Sequence, residues 1–155
     1  EADDWSGTYA RRAEARGWRT VVASSDKDFM QLVGPQVGLF NPNDKTEKVW
    51  TAAEVEAKTG VQPHQVVDWL SLIGDAVDNI PGVPKVGPKT AARWLNEFGD
   101  LDAIIARAHE IGGKVGESLR DSLAQLPLSA YLLVRSLHLL SLDFVLLAVD
   151  QDYLR

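Results

Sequence analysis

The acidic residues of this chain gather in three tight groups: Glu1, Asp3 and Asp4; Asp26 and Asp28; Asp75 and Asp78. Seven carboxylates grouped this way restrict the fold strongly. Carboxylates crowded together repel one another unless they are spread into solvent or share a cation. The chain has 155 residues, no cysteine and only three histidines. A shared cation is therefore expected to be a hard one, Mg²⁺ or Mn²⁺, which prefers oxygen ligands.

Each group also has a plain structural reading. Glu1, Asp3 and Asp4 suit the first turn of a helix, where the dipole favours negative charge. Asp26 suits an N-cap, and Asp75 and Asp78 suit a helix end and turn. One shared role accounts for all three groups more economically than three unrelated ones. Asp26 and Asp28 follow a short β-branched run, Arg19 to Ala23, and ligands of open α/β sheets bind at the C-terminal ends of strands. Two cations ~3.5–4 Å apart, one activating water and one stabilising a departing oxygen, need a carboxylate set of this kind.

Directly after the third group comes Gly82-Val83-Pro84-Lys85-Val86-Gly87-Pro88-Lys89-Thr90-Ala91. Its glycines permit positive φ and close backbone approach. Pro88 suits the first turn of a helix, whose free N–H groups attract anions. Lys85 and Lys89 add charge, and Arg93 follows Lys89 by one helical turn, where it can meet a second phosphate. Such a loop grips a phosphate backbone without reading bases, so its binding is sequence-independent and salt-sensitive. A Gly/Pro-rich linker between helices is the plainer reading.

The net charge of −6 at first disfavours a nucleic-acid partner. Setting the seven grouped carboxylates aside leaves +1, and the surface is locally basic near Lys85, Lys89 and Arg93. No apolar run reaches the ~18 residues needed to span a bilayer. The absence of cysteine excludes disulfides and zinc–thiolate sites and fits a reducing, cytoplasmic setting. His64, His109 and His138 do not cluster, and no Ser/His/Asp or Cys/His arrangement suggests covalent catalysis. Trp5, Trp18, Trp50, Trp69 and Trp94 fall mostly on apolar faces, as core residues would.

Periodicity predicts a helix over 1–16 with Ala2, Trp5, Tyr9 and Ala13 on one face. A strand is expected at 19–23, a short helix at 28–33, and a hairpin from 37–40 and 47–50 around Asn41-Pro42-Asn43-Asp44. Thr51-Ala52-Ala53-Glu54 is a capping-box pattern for a helix that stops at Gly60. Further helices are expected from Pro63 and near 89–98, 100–110, 114–124 and 128–140, then a strand from Phe144 to Val149. The fold class is α/β, with a mainly helical part after about residue 51.

Glu1-Ala2-Asp3-Asp4, Ser25 to Val33, Gly74 to Val83 and Gly87 to Ala91 resemble, in order and spacing, blocks of the 5′-nuclease family. The resemblance is strongest to the 5′→3′ exonuclease domain of bacterial DNA polymerase I, and it runs over nearly the whole chain. It implies part of a PIN-like, Rossmann-like nuclease core at 1–50, a helical DNA-binding region with a helix-three-turn-helix at 51–142, and a domain end at 143–155. It implies that Glu1, Asp3, Asp4, Asp26, Asp28, Asp75 and Asp78 are metal ligands for two Mg²⁺ or Mn²⁺ ions. Gly82, Val83, Pro84, Lys85, Val86, Gly87, Lys89, Thr90 and Arg93 would hold duplex DNA, with K⁺ at the helix-three-turn-helix. The implied activity is removal of 5′ flaps, primers and 5′ nucleotides in replication and repair, beside a polymerase domain of the same parent chain. Ser25 and Pro88 stand where the resemblance leads one to expect other small or polar residues. The family's domain starts well before the position of Glu1, with first sheet strands, two further metal-binding Asp residues and a helical arch. The segment is thus expected to show an incomplete sheet with an exposed edge. Without those parts, the alternative is a non-catalytic module that binds duplex DNA independently of sequence.

Overall fold

The structure, a computed structural model, describes residues 2–138, excepting the side chains of 2–4, 131 and 134–138. Helix α1 spans Ala2–Ala15. Gly17 ends it at φ +74. There the Gly17 and Trp18 N–H groups return to the carbonyls of Glu14 and Ala13, at 2.8 and 3.0 Å, a left-handed closure that favours glycine. Arg16 lies 5.8 Å from the centre of the Trp18 ring.

Strand β1, Thr20–Ala23, pairs in parallel with β2, Val37–Phe40, from Thr20↔Val37 to Ala23↔Phe40. The connection carries the short helix expected at 28–33, as a 3₁₀ turn over Lys27–Leu32. The turn buries Phe29, Met30 and Leu32. The expected hairpin joins β2 antiparallel to β3, Val49–Trp50. The extended pairing starts only at Val49, because Glu47 takes φ +51. The Asp44 carboxylate stabilises that turn, accepting the Thr46 N–H at 2.9 Å and the Trp50 ring N–H at 3.0 Å.

The strand order is β1-β2-β3, so β1 is an edge among the described residues, with Val21 exposed. The face of α1 is a correction. Trp5 and Tyr9 are exposed and stack on each other at 6.0 Å. Among the residues of that helix whose side chains are described, Gly7 and Ala10 are buried. Small side chains three apart let the helix backbone approach α7 and the 3₁₀ turn closely, and large rings on that side would hold it off.

From residue 52 the chain is helical: α2 Ala52–Thr59, a 3₁₀ turn Pro63–Gln65, α3 Val66–Ile73, α4 Pro88–Phe98, α5 Leu101–Ala106, a further 3₁₀ turn Ala108–Glu110, α6 Gly113–Ser122 and α7 Leu126–His138. The capping box at Thr51 and Glu54 opens α2, and Gly60 at φ +82 closes it. The helix expected over 100–110 breaks at Arg107. The Arg120 guanidinium donates to the carbonyls of Ala108 and Ile111, both at 3.0 Å, which satisfies the carbonyls freed by the break. The strand expected at Phe144–Val149 lies outside the described residues.

The helices share one core through Leu70, Leu95, Ile104, Leu119 and Leu126, all at 0% exposure. Two polar side chains, buried Gln65 and half-buried Asp68, tie it together. Gln65 accepts the Gln62 N–H at 3.1 Å and donates to the end of α4, at 2.8 Å to Gly99 O and 3.3 Å to Leu95 O. Asp68 on α3 accepts the Leu101 N–H at 3.0 Å, which caps α5 from outside, although burial raises its pKa. Trp94 sits at 2% exposure and Trp69 at 8%, as their apolar faces suggested, and Trp50 packs partly buried. Replacing Trp94 by Ala is expected to cost about 3–5 kcal/mol, read as a lowered denaturant midpoint.

Candidate metal and phosphate site

The acid cluster is assembled by two chain reversals. At the first, β1 ends at Ala23 and its sheet bonding finishes with Ser24 N–H to Phe40 O at 2.9 Å. Asp26 then caps the 3₁₀ turn, its carboxylate accepting the Asp28 N–H at 2.9 Å. This points the chain inward and buries Asp28 at 4% exposure.

At the second reversal, α3 stops at Gly74, φ +82. Asp75 and Ile80 then exchange both backbone hydrogen bonds, at 2.8 and 2.7 Å. Four exposed residues, Ala76 to Asn79, form the tip between them. Asn79 turns the chain at φ +56. Asp75 is buried at 4%, and its Oδ1 accepts the Val77 N–H at 3.0 Å. Asp78, on the exposed tip, is carried back towards it.

Asp28, Asp75 and Asp78 meet here, each offering one carboxylate oxygen within 4.8 Å of the others. Asp26 is near enough to act on Asp28 and Asp78 electrostatically. Burial pushes the Asp28 carboxyl from 3.8 up to about 7, and Asp26, Asp78 and Asp75 add to the rise. Burial also raises Asp78, with Asp75 and Asp26 contributing. Lys27 offsets both, and its Nζ pairs with Asp75 Oδ2 at 2.7 Å. The cluster is therefore short of positive charge. Among the described residues, Asp28 Oδ1 is buried without a hydrogen-bond partner. A buried acceptor with nothing to accept from, among carboxylates that resist ionising together, fits a cation site built from oxygen.

Of the other predicted ligands, Asp3 and Asp4 lie on the first turn of α1, and Glu1 lies outside the described residues.

The phosphate-loop candidates follow without a break. Gly82, at φ +64, lies against Gly74; a Cβ there would strike the backbone of Ile73 and Gly74. The Val83 N–H reaches Leu72 O at 2.8 Å. Val83 and Val86 are core residues at 3% and 6% exposure, so only their backbone faces outward chemistry. Pro84 and Lys85 are exposed, and Lys85 takes φ +68. Gly87 caps α4 without a side-chain bond, and Pro88 is its first residue. Lys89 and Arg93 are exposed one turn apart, with Thr90 half-buried.

Sequence reasoning missed three contributors. Lys27 was visible between two site acids. Trp69, read as packing, also donates its ring N–H to Pro88 O at 3.1 Å. Gln125 donates to Gly82 O at 3.0 Å from 43 residues away, with no local signal to mark it. His64 and His109 are exposed, apart from this site.

Two outcomes are expected. A carboxyl whose folded pKa lies above its unfolded value makes the folded state bind more protons between the two, so stability falls as pH rises. Metal-free protein should thus lose stability from about pH 4 to about 7, the window set by Asp28. Asp28→Asn should flatten that slope in denaturant titrations across pH. At the loop, Gly82→Ala should destabilise by more than about 2 kcal/mol, while Gly87→Ala, with φ −103 and open space around its Cβ, should stay within about 0.5 kcal/mol of the parent.

The chain resembles known proteins in both sequence and fold. Residues 1–60 match the family described as 5′-3′ exonuclease, N-terminal resolvase-like domain, and residues 61–148 match 5′-3′ exonuclease, C-terminal SAM fold. DNA polymerase I of Rhizobium leguminosarum is 49% identical over 111 residues, covering 72% of this chain and 11% of that protein. DNA polymerase I of Mycobacterium tuberculosis H37Rv is 40% identical over 126 residues, covering 80% and 14%. The 5′-3′ exonuclease of Aquifex aeolicus is 40% identical over 105 residues, covering 68% and 36%. The chain thus spans well under half the length of these relatives. Among solved structures, the T5 D15 protein co-crystallised with metal ions superposes with a TM-score of 0.77 at 24% identity, over 86% of this chain and 50% of that one. Its fold is the fold of this chain: mixed α/β, rich in helix, with a small sheet. By both its sequence halves and its fold, the chain belongs to the 5′-3′ exonuclease family.

Proposed function

We propose that this chain is the metal-binding and DNA-holding part of a 5′→3′ exonuclease or 5′-flap endonuclease that hydrolyses DNA phosphodiester bonds in primer removal and repair. The convergence of Asp28, Asp75 and Asp78 around the orphaned Asp28 Oδ1 carries this reading. Residues 1–50 contribute the nuclease-core part and residues 51–142 the part that holds DNA. The T5 5′-exonuclease has been crystallised with zinc, and the D15 flap endonuclease with DNA and metal ions. Those likenesses support a divalent cation, and DNA, as the ligands here, and the all-oxygen donor set of the acid cluster favours Mg²⁺ or Mn²⁺.

Asp28, Asp75 and Asp78 would hold the divalent cations, with Asp26 beside them and Glu1, Asp3 and Asp4 completing the set. Two such cations supply an activated water and charge neutralisation at the scissile phosphate. The remaining work falls to the chain itself. Burial of Asp28 and Asp75 keeps two ligands dry and fixed. The Asp75–Ile80 exchange holds the tip that carries Asp78. The backbone from Gly82 to Gly87, with Lys85, Lys89, Thr90 and Arg93, would grip successive phosphates of the duplex, and the loop carbonyls would hold a K⁺ ion that adds positive charge there. No side chain serves as a nucleophile.

Mg²⁺-dependent release of a labelled 5′ flap tests the catalytic reading. Asp75→Asn with Asp78→Asn should lower the rate by at least about 100-fold; an unchanged rate would remove these acids from the metal site. Lys85→Ala with Lys89→Ala should weaken duplex binding for every sequence alike and flatten its salt dependence. Salt-dependent duplex binding with no cleavage would leave the DNA-holding module as the chain's own function.

A further inference from the structure

Among the described residues, Lys27 brings positive charge to the raised carboxyls of this cluster, which otherwise gathers Asp26, Asp28, Asp75 and Asp78. Its contact is with Asp75 Oδ2 at 2.7 Å. The two partners are unequal. The Asp75 side chain is 3% exposed and the Lys27 side chain is 40% exposed. The carboxylate is fixed without the lysine, because Asp75 Oδ1 accepts the Val77 N–H at 3.0 Å and the Asp75 backbone is locked to Ile80. Lys27 therefore supplies charge and little positioning. A lysine on a flexible four-carbon stem, already partly in water, leaves such a contact at small cost. The acceptor without a partner, Asp28 Oδ1, lies in the same cluster.

We propose that Lys27 is a built-in counter-cation: it neutralises Asp75 while the acid cluster holds no metal, and swings out to release that carboxylate when a divalent cation binds. The inference rests on the cation reading of the cluster. It makes Lys27 a regulator of metal affinity, outside the ligand set, that keeps the empty cluster from repelling itself apart. The lysine and the metal compete for one carboxylate, so the lysine stabilises the metal-free protein at the expense of metal affinity.

The experiment compares the parent chain with Lys27→Met, Lys27→Arg and Lys45→Met, the last removing an exposed charge in the β2–β3 loop. Mg²⁺ and Mn²⁺ binding are measured by calorimetry, and melting temperature with and without metal. Lys27→Met should bind either ion roughly tenfold more tightly. It should melt lower than the parent without metal, and that deficit should close at saturating Mg²⁺. Lys27→Arg should restore the metal-free melting temperature. Unchanged or weaker binding by Lys27→Met overturns the proposal. So does a deficit that persists in saturating Mg²⁺, which would mark a purely structural pair. A gain as large in Lys45→Met also overturns it, because the effect would be bulk charge. If the parent binds neither ion, the metal reading of the cluster fails and this proposal fails with it.

Discussion

The reversal at the end of α3 is the constraint on which the rest of the site depends. Gly74 and Gly82 face each other at positive φ, close enough that neither tolerates a Cβ. Between them the Asp75–Ile80 exchange closes the acidic tip. Beyond them the Gly82–Gly87 loop leads directly into α4. One backbone device thus fixes two chemically opposite elements, a carboxylate pair and a loop suited to anions, at the end of a helix whose Leu70 and Leu72 are wholly buried. Without the double glycine contact, the chain could not carry Asp75 inward and still leave the loop on the surface.

Opposite charges placed side by side need insulation from each other. The sequence separates them by six residues, from Asp78 to Lys85, and the core residues Ile80 and Val83 lie between. The acid side draws its neutralisation from Lys27 on another element. Lys85 in the loop and Lys89 in the first turn of α4 stay exposed. The division of labour follows from burial: two buried acids demand a counter-charge, and exposed lysines do not.

Much of this was legible in the sequence, for local reasons. The capping box at Thr51 and Glu54, the Gly60 stop and the Asn41–Asp44 turn are written in neighbouring residues and appear as expected. The acid groups at Asp26–Asp28 and Asp75–Asp78 stood out by composition, and the fold brings three of their members together. What stayed hidden depends on distant partners. The break at Arg107 depends on Arg120, thirteen positions later. The buried side of α1 is set by how closely α7 can approach, so its small residues outrank its aromatic ones. The inward side chains of Val83 and Val86 were submerged in a motif read for its glycines and lysines.

The clamp at Gly82 carries a dynamic consequence. Gln125 holds the Gly82 carbonyl, Leu72 holds the Val83 N–H, and Trp69 holds Pro88, so the loop is bonded at its start to α3 and to the α6–α7 junction, and at its end to α3 again. Local opening in proteins proceeds by cooperative units whose bonds break together. The loop and the acidic tip share such a unit with α3. Amide exchange in the loop should therefore follow the slow opening of the helical core, although the loop lies on the surface. A site of this kind is shaped before its ligands arrive, and little of its binding energy goes into ordering it.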